Sequence, residues 1–152
     1  MNYSIYTDGA CSNNGAKDAV GGAAFVILRE DGSVFYQDYW KVSNATNNIC
    51  EMLALSCACY MINDVLSPEG TATLYTDSAY IINCITQKWY KKWQENGWLN
   101  SKKEPVVNRE LWERLIPYFE NPRFSFEKVK GHSNNDWNNY VDKLAVRAKE
   151  EN

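Results

Sequence analysis

Two stretches of the chain echo one another: Tyr3-Ser4-Ile5-Tyr6-Thr7-Asp8-Gly9 near the start, and Thr71-Ala72-Thr73-Leu74-Tyr75-Thr76-Asp77-Ser78 near the middle. Each is a β-rich run that closes on Tyr-Thr-Asp. As neighbouring parallel strands they bring both carboxylates out at the same sheet edge, the carboxyl edge where open α/β sheets place their ligands. Asp8-Gly9 is also a turn signal, so the first strand is expected to end there.

Working outward, Gly21 to Leu28 and Ser33 to Val42 read as two strands around the hairpin loop Glu30-Asp31-Gly32. Cys50 to Val65 reads as a helix opened by Thr46-Asn47-Asn48 and stopped before Pro68. A helical stretch follows Asp77-Ser78, then a Trp-bearing basic helix over Lys88 to Gly97, then a helix over Asn108 to Phe119 with Asn108 as its cap. Phe124 to Val129 alternates as a strand does, and a Gly131-His132 loop comes next. In the last helix, Trp137 to Glu150, Val141, Leu144, Ala145 and Ala148 fall at helical spacing. The order βββαβαααβα predicts an α/β fold with a mixed sheet and helices on its faces. No linker-like stretch divides the chain, so residues 1–152 are expected to form one domain.

The composition, 45% apolar with 21 aromatic residues among 152, excludes a disordered tail, a collagen or a low-complexity linker. No apolar run approaches the roughly 18 residues of a membrane helix, and Met1-Asn2-Tyr3-Ser4-Ile5 is unlike a signal peptide. Five cysteines, an odd number, argue against a disulfide scheme, and with a single His they form no zinc-binding pattern. Cys50, Cys57, Cys59 and Cys84 read as small core residues, and a cytoplasmic location is expected. Net charge is −3, yet Thr86 to Lys103 alone carries +4 (Lys88, Lys91, Lys92, Lys102 and Lys103 against Glu95), leaving −7 elsewhere. A basic segment beside an acidic remainder suggests one surface for phosphate and another for cations.

The chemistry candidates are Asp8, Glu51, Asp77 and Asp142. Each also has an ordinary role open to it. Asp8 can begin a turn, Glu51 can close a capping box with Asn48, Asp77 can cap the next helix, and Asp142 can be a solvated helix charge. Together they suggest more, because Glu51 falls in the first turn of a helix able to cross the same sheet edge. Asp142 shares a helix face with Asn138, four residues earlier. Four gathered carboxylates require neutralisation, and two divalent cations supply the matching charge. Carboxylate sites lacking His and Cys favour Mg²⁺ or Mn²⁺. Two such ions suit in-line hydrolysis of a phosphodiester.

The runs Tyr6-Thr7-Asp8-Gly9, Thr46-Asn47-Asn48 before Glu51-Met52, Tyr75-Thr76-Asp77-Ser78 and Val129-Lys130-Gly131-His132, with Asp142 ahead of Leu144-Ala145, resemble the type 1 ribonuclease H family. The likeness spans Tyr3 to about Ala148, with the motifs in family order. Ile85-Thr86-Gln87, Trp89, Trp93, Gly97 and Trp98 resemble the basic handle of the bacterial enzymes, which many retroviral versions lack. The resemblance implies a five-stranded mixed sheet, an antiparallel meander plus two parallel strands, with helices on both faces. It also implies endonucleolytic cleavage of the RNA strand of RNA–DNA hybrids, leaving 5′-phosphate and 3′-hydroxyl ends. Asp8, Glu51, Asp77 and Asp142 then match metal-binding acids, and His132 a loop histidine that assists proton transfer or product departure. Asn14, Asn47 and Asn48 fall at contacts to the hybrid's minor groove and sugars, and Thr46 at a DNA phosphate. Lys88, Lys91, Lys92 and Asn138 complete the expected substrate set with Trp89 and Trp93, two rings on one helix face for which packing is the competing role.

The family pattern is broken at Ala79, where a substrate-touching Gln is frequent, and at Lys128, where a Trp is frequent. Lys88 is an extra residue before the first handle Trp, and Ser12-Asn13-Asn14-Gly15-Ala16 lacks the prolines common in that loop. The hybrid is the expected partner, with no membrane, no obligatory protein partner and a monomeric state. Two other readings are a non-catalytic hybrid-binding module and the nuclease domain of a reverse transcriptase.

Overall fold

In the computed structural model, which describes residues 1–14, 16–129 and 136–151, the chain begins with a meander. Strand β1 (Asn2–Ser12) pairs antiparallel with β2 (Val20–Leu28), and β2 with β3 (Val34–Ser43). Helix α1 (Asn47–Tyr60), prolonged by a π turn at Met61–Val65, leads to β4 (Thr71–Thr76). Then follow α2 (Ala79–Thr86), α3 (Trp89–Asn96), α4 (Arg109–Phe119), β5 (Phe124–Lys128) and α5 (Asp136–Glu150). The five strands lie in the order β3-β2-β1-β4-β5, with β1, β4 and β5 parallel.

Strand β2 is an almost unbroken apolar run because both its faces are covered. Ala23, Phe25 and Ile27 face the side carrying α1, while Ala24, Val26 and Leu28 meet Val141, Leu144 and Ala145 of α5. The helical spacing of those α5 residues is thus the spacing of its sheet contact. Trp112, fully buried, anchors the other end of the core against Trp93, Tyr80 and Phe119 at ring distances of 5.6, 5.5 and 6.4 Å. Cys50, Cys59 and Cys84 are buried small residues, and Cys57 is half-buried beside the core.

Three local expectations need correction. Strand β1 does not stop at Asp8-Gly9 but runs on to Ser12, with Asp8 opposite Ala24 and Gly9 opposite Ala23. Gly9 is there for closeness rather than for a turn: a Cβ on it would lie 2.5 Å from the backbone of Cys50 and Glu51. Helix α1 starts earlier than expected. Thr46 is its cap, accepting from the Ile49 N–H at 3.1 Å, so Glu51 lies in the second turn and forms no capping box. Asn108 precedes α4 in a left-handed conformation (φ 63°) and makes no side-chain cap.

Candidate active site

The parallel ladder between β1 and β4 ends at Tyr6↔Tyr75. Past that rung the strands part, and the chain places its acids in the opening. Continued by two residues, the register sets Asp8 opposite Asp77. Asp77 is not the cap of the helix after it, because Ser78 takes that role by accepting from the Ile81 N–H at 3.2 Å. Glu51 reaches the opening from α1, and its Oε1 accepts from the Gly9 N–H at 3.1 Å. Its Oε2 accepts from the Thr76 hydroxyl at 3.5 Å. Carboxylate oxygens of Asp8, Glu51 and Asp77 all lie within 4.8 Å of one another.

Asp8 is 4% exposed and Glu51 8%. Burial, then the neighbouring Glu51 and Asp77, pushes the Asp8 carboxyl far above the ordinary carboxylate range. Burial raises Glu51 as well, a hydrogen bond with Asp8 opposes the rise, and Asp77 adds to it. The Asp142 carboxyl also lies within hydrogen-bonding reach of Asp8 and raises it further. Asp142 is on the exposed side of α5, where a solvated charge and a site contact are compatible. Asn138, one turn earlier, is buried at 5% exposure. Among the described residues the ion pairs are Arg109–Glu113 and Arg147–Glu151, on exposed helix faces. Three carboxylate oxygen donors, gathered among the described residues, fit a hard divalent cation.

The expected substrate residues fall into two groups. At the start of α1, Asn47 and Asn48 are exposed, and the Asn14 side-chain oxygen accepts from the Asn47 N–H at 3.0 Å. Thr46 spends its hydroxyl oxygen on the helix cap and is half-buried. At the handle, Lys88, Lys91 and Lys92 are all exposed, and Lys88 adopts φ 55° at the junction of α2 and α3. Trp93, at 9% exposure, lies between Trp98 and Trp112, so the packing role holds for it. Trp89 is half-buried, its Nε1 donating to Gln87 at 3.2 Å. The two rings still line one side of a groove of about 660 Å³ with Tyr80, Lys92, Asn96 and Asn100. His132 lies outside the described residues. Sequence reasoning misses Thr76 and Gly9, the residues that hold Glu51; the shared Tyr-Thr-Asp pattern is the signal that could have found the threonine.

The model of the RNase H family matches residues 1–150. The ribonuclease H of Clostridium botulinum (strain Hall) is 41% identical over 147 residues, covering 97% of this chain and 95% of that protein. Among solved structures, the solution structure of the PFV RNase H domain superposes with a TM-score of 0.77 at 25% identity, covering 98% of this chain and 96% of that one. LC11-RNase H1 in complex with an RNA/DNA hybrid gives a TM-score of 0.70 at 20% identity, covering 97% and 96%.

Proposed function

The chain belongs to the ribonuclease H family, endoribonucleases acting on the RNA strand of RNA–DNA hybrids, and from that premise we propose that Asp8, Glu51, Asp77 and Asp142 hold two Mg²⁺ ions for this cleavage. Mn²⁺ is the natural substitute. The carrying observation is the meeting of three carboxylates within 4.8 Å where β1 and β4 part. When bound, the ions supply an activated water and neutralise the leaving oxygen of an in-line displacement, giving 5′-phosphate and 3′-hydroxyl ends. The chain's own residues do the rest. The Gly9 N–H orients Glu51, and the α5 backbone carries Asp142 to Asp8. His132 serves as a proton carrier for the leaving group, a task to which imidazole is suited as a general acid and base.

Substrate choice follows from the exposed groups. A hybrid displays 2′-hydroxyls in a wide, shallow minor groove. Amides, which both donate and accept, suit Asn14, Asn47 and Asn48 to reading it. Lys88, Lys91 and Lys92 contact phosphates of the DNA strand beside the Trp89 groove, and Thr46 contacts another. The enzyme works as a single-domain monomer in the cytoplasm without an obligatory protein partner. Cleavage of hybrid, duplex RNA and duplex DNA, each with and without Mg²⁺, tests the whole reading. Cutting confined to the hybrid and abolished by chelator is the expected result; equal cutting of all three, or indifference to chelator, overturns it.

A further inference from the structure

The metal reading uses the Asp of each Tyr-Thr-Asp triplet and leaves its Thr unexplained. Both threonines are 1% exposed, and both hydroxyls make hydrogen bonds beside the parting of β1 and β4. Thr7 Oγ1 donates to the Tyr75 carbonyl at 3.3 Å and so closes the seam just below the site. Thr76 Oγ1 donates to Glu51 Oε2 at 3.5 Å and accepts from the Ser78 N–H at 3.2 Å. The Thr76 carbonyl is itself held by the Val129 N–H at 2.8 Å, which ties the residue to the far strand.

We propose that Thr76 is a positioning residue of the metal site, fixing Glu51 through its second carboxylate oxygen and Asp77 through the Ser78 turn. The Gly9 N–H restrains Oε1, and the Thr76 hydroxyl restrains Oε2 of the same carboxylate. A hydroxyl is suited to this place because it is neutral. A lysine or arginine would hold Glu51 more tightly but would take the place of a cation in the site. Thr7, in the same position of the other triplet, donates to a carbonyl rather than to a carboxylate and acts as a clamp of the strands.

This inference rests on the metal-site reading, and Mn²⁺ binding to the metal-free protein, measured by calorimetry, separates the two. Thr76→Val keeps the shape and removes the hydroxyl; it is expected to weaken Mn²⁺ binding about tenfold, the usual cost of losing a group that orients a metal ligand. It should lower kcat by a similar factor and leave KM for hybrid unchanged. Thr76→Ser restores both. Thr7→Val lowers the thermal midpoint without altering Mn²⁺ affinity. Should Thr76→Val not fold, Thr76→Cys, of similar volume and with only a weak donor, is judged by the same criteria. Wild-type Mn²⁺ affinity in the Val or Cys variant, or an equal loss in Thr7→Val, overturns the role of Thr76. A wild-type protein that binds no Mn²⁺ overturns the metal site itself.

Discussion

At the parting of β1 and β4, Asp8 and Glu51 are 4% and 8% exposed, and Glu51 is held by neutral donors, whereas the handle lysines stand in solvent on a scaffold of buried rings. Burial, then Glu51 and Asp77, raises the proton affinity of Asp8, and burial, with Asp77, raises that of Glu51, so each depends on its neighbours. The lysines are exposed, so each charge acts outward through solvent. Charge that must be exact in position is buried at a cost to the fold, and charge that need only attract is left outside. The Trp side chains grade between the two, with Trp98 interior, Trp93 buried yet lining the groove, and Trp89 half-buried at the groove.

The largest effect is expected from Asp8→Asn, which removes a charge with little change in volume. Turnover should fall on the order of 10³-fold or more, the several kcal/mol that a metal's charge stabilisation supplies. The same substitution should raise the thermal midpoint of the metal-free protein at pH 8, because it relieves carboxylate crowding. Near-normal turnover would place Asp8 outside the metal site. A midpoint that fell would mean that the buried acids do not strain the fold.

The next effect is on stability against pH. Folded Asp8 and Glu51 keep their protons above the range in which unfolded carboxyls lose theirs, so the native state binds more protons than the unfolded state in that interval. Stability of the metal-free protein is therefore present below about pH 4 and is lost as pH rises, by up to ~1.4 kcal/mol per pH unit for each retained proton. Thermal melts at pH 5 and pH 8 should differ in that direction, and added Mg²⁺ should recover stability most at pH 8. A chelated protein that is equally stable at both would break the contrast with the handle.

Smaller changes belong to the exposed side. Replacing Lys91 and Lys92 with Ala should weaken hybrid binding and reduce the slope of log affinity against log salt by about 2, one for each phosphate that is no longer neutralised. Their kcat should stay as in the wild type. An unchanged slope would mean that neither side chain meets a phosphate. The least effect is expected from Ala79→Gln at a position beside Asp77 and Ser78. Adding the amide should lower KM by a few-fold, worth about 1 kcal/mol for a single net hydrogen bond. An unaltered KM would show that substrate does not pass over position 79.

Much of this architecture was legible from local pattern. Thr71–Thr76 is a strand over the residues its sequence indicates, and the α5 apolar spacing matches its contact with the sheet. The paired Tyr-Thr-Asp triplets meet at one edge on condition that their strands are parallel neighbours, and β1 and β4 fulfil that condition. Asp8-Gly9 misled: the same dipeptide serves a turn or a close approach, and only the helix seated on Gly9 separates them. Trp89 and Trp93 share a helix face in sequence, yet their different burial depends on where Trp98 and Trp112 arrive from elsewhere in the chain.

By itself the sequence determined the residue types, the order of the elements, the basic segment and the two acids delivered by matched strands. These follow from short-range periodicity and composition. Tertiary structure alone decided that Glu51, from the second turn of α1, meets the backbone of Gly9, 42 residues away, and that Thr76 stands behind its other oxygen. It also decided that Asp142 reaches Asp8 from the opposite face of the sheet. The reason is geometric: a carboxylate's partners are set by how closely two packed elements approach, and the residue that permits the approach lies far from the one that uses it.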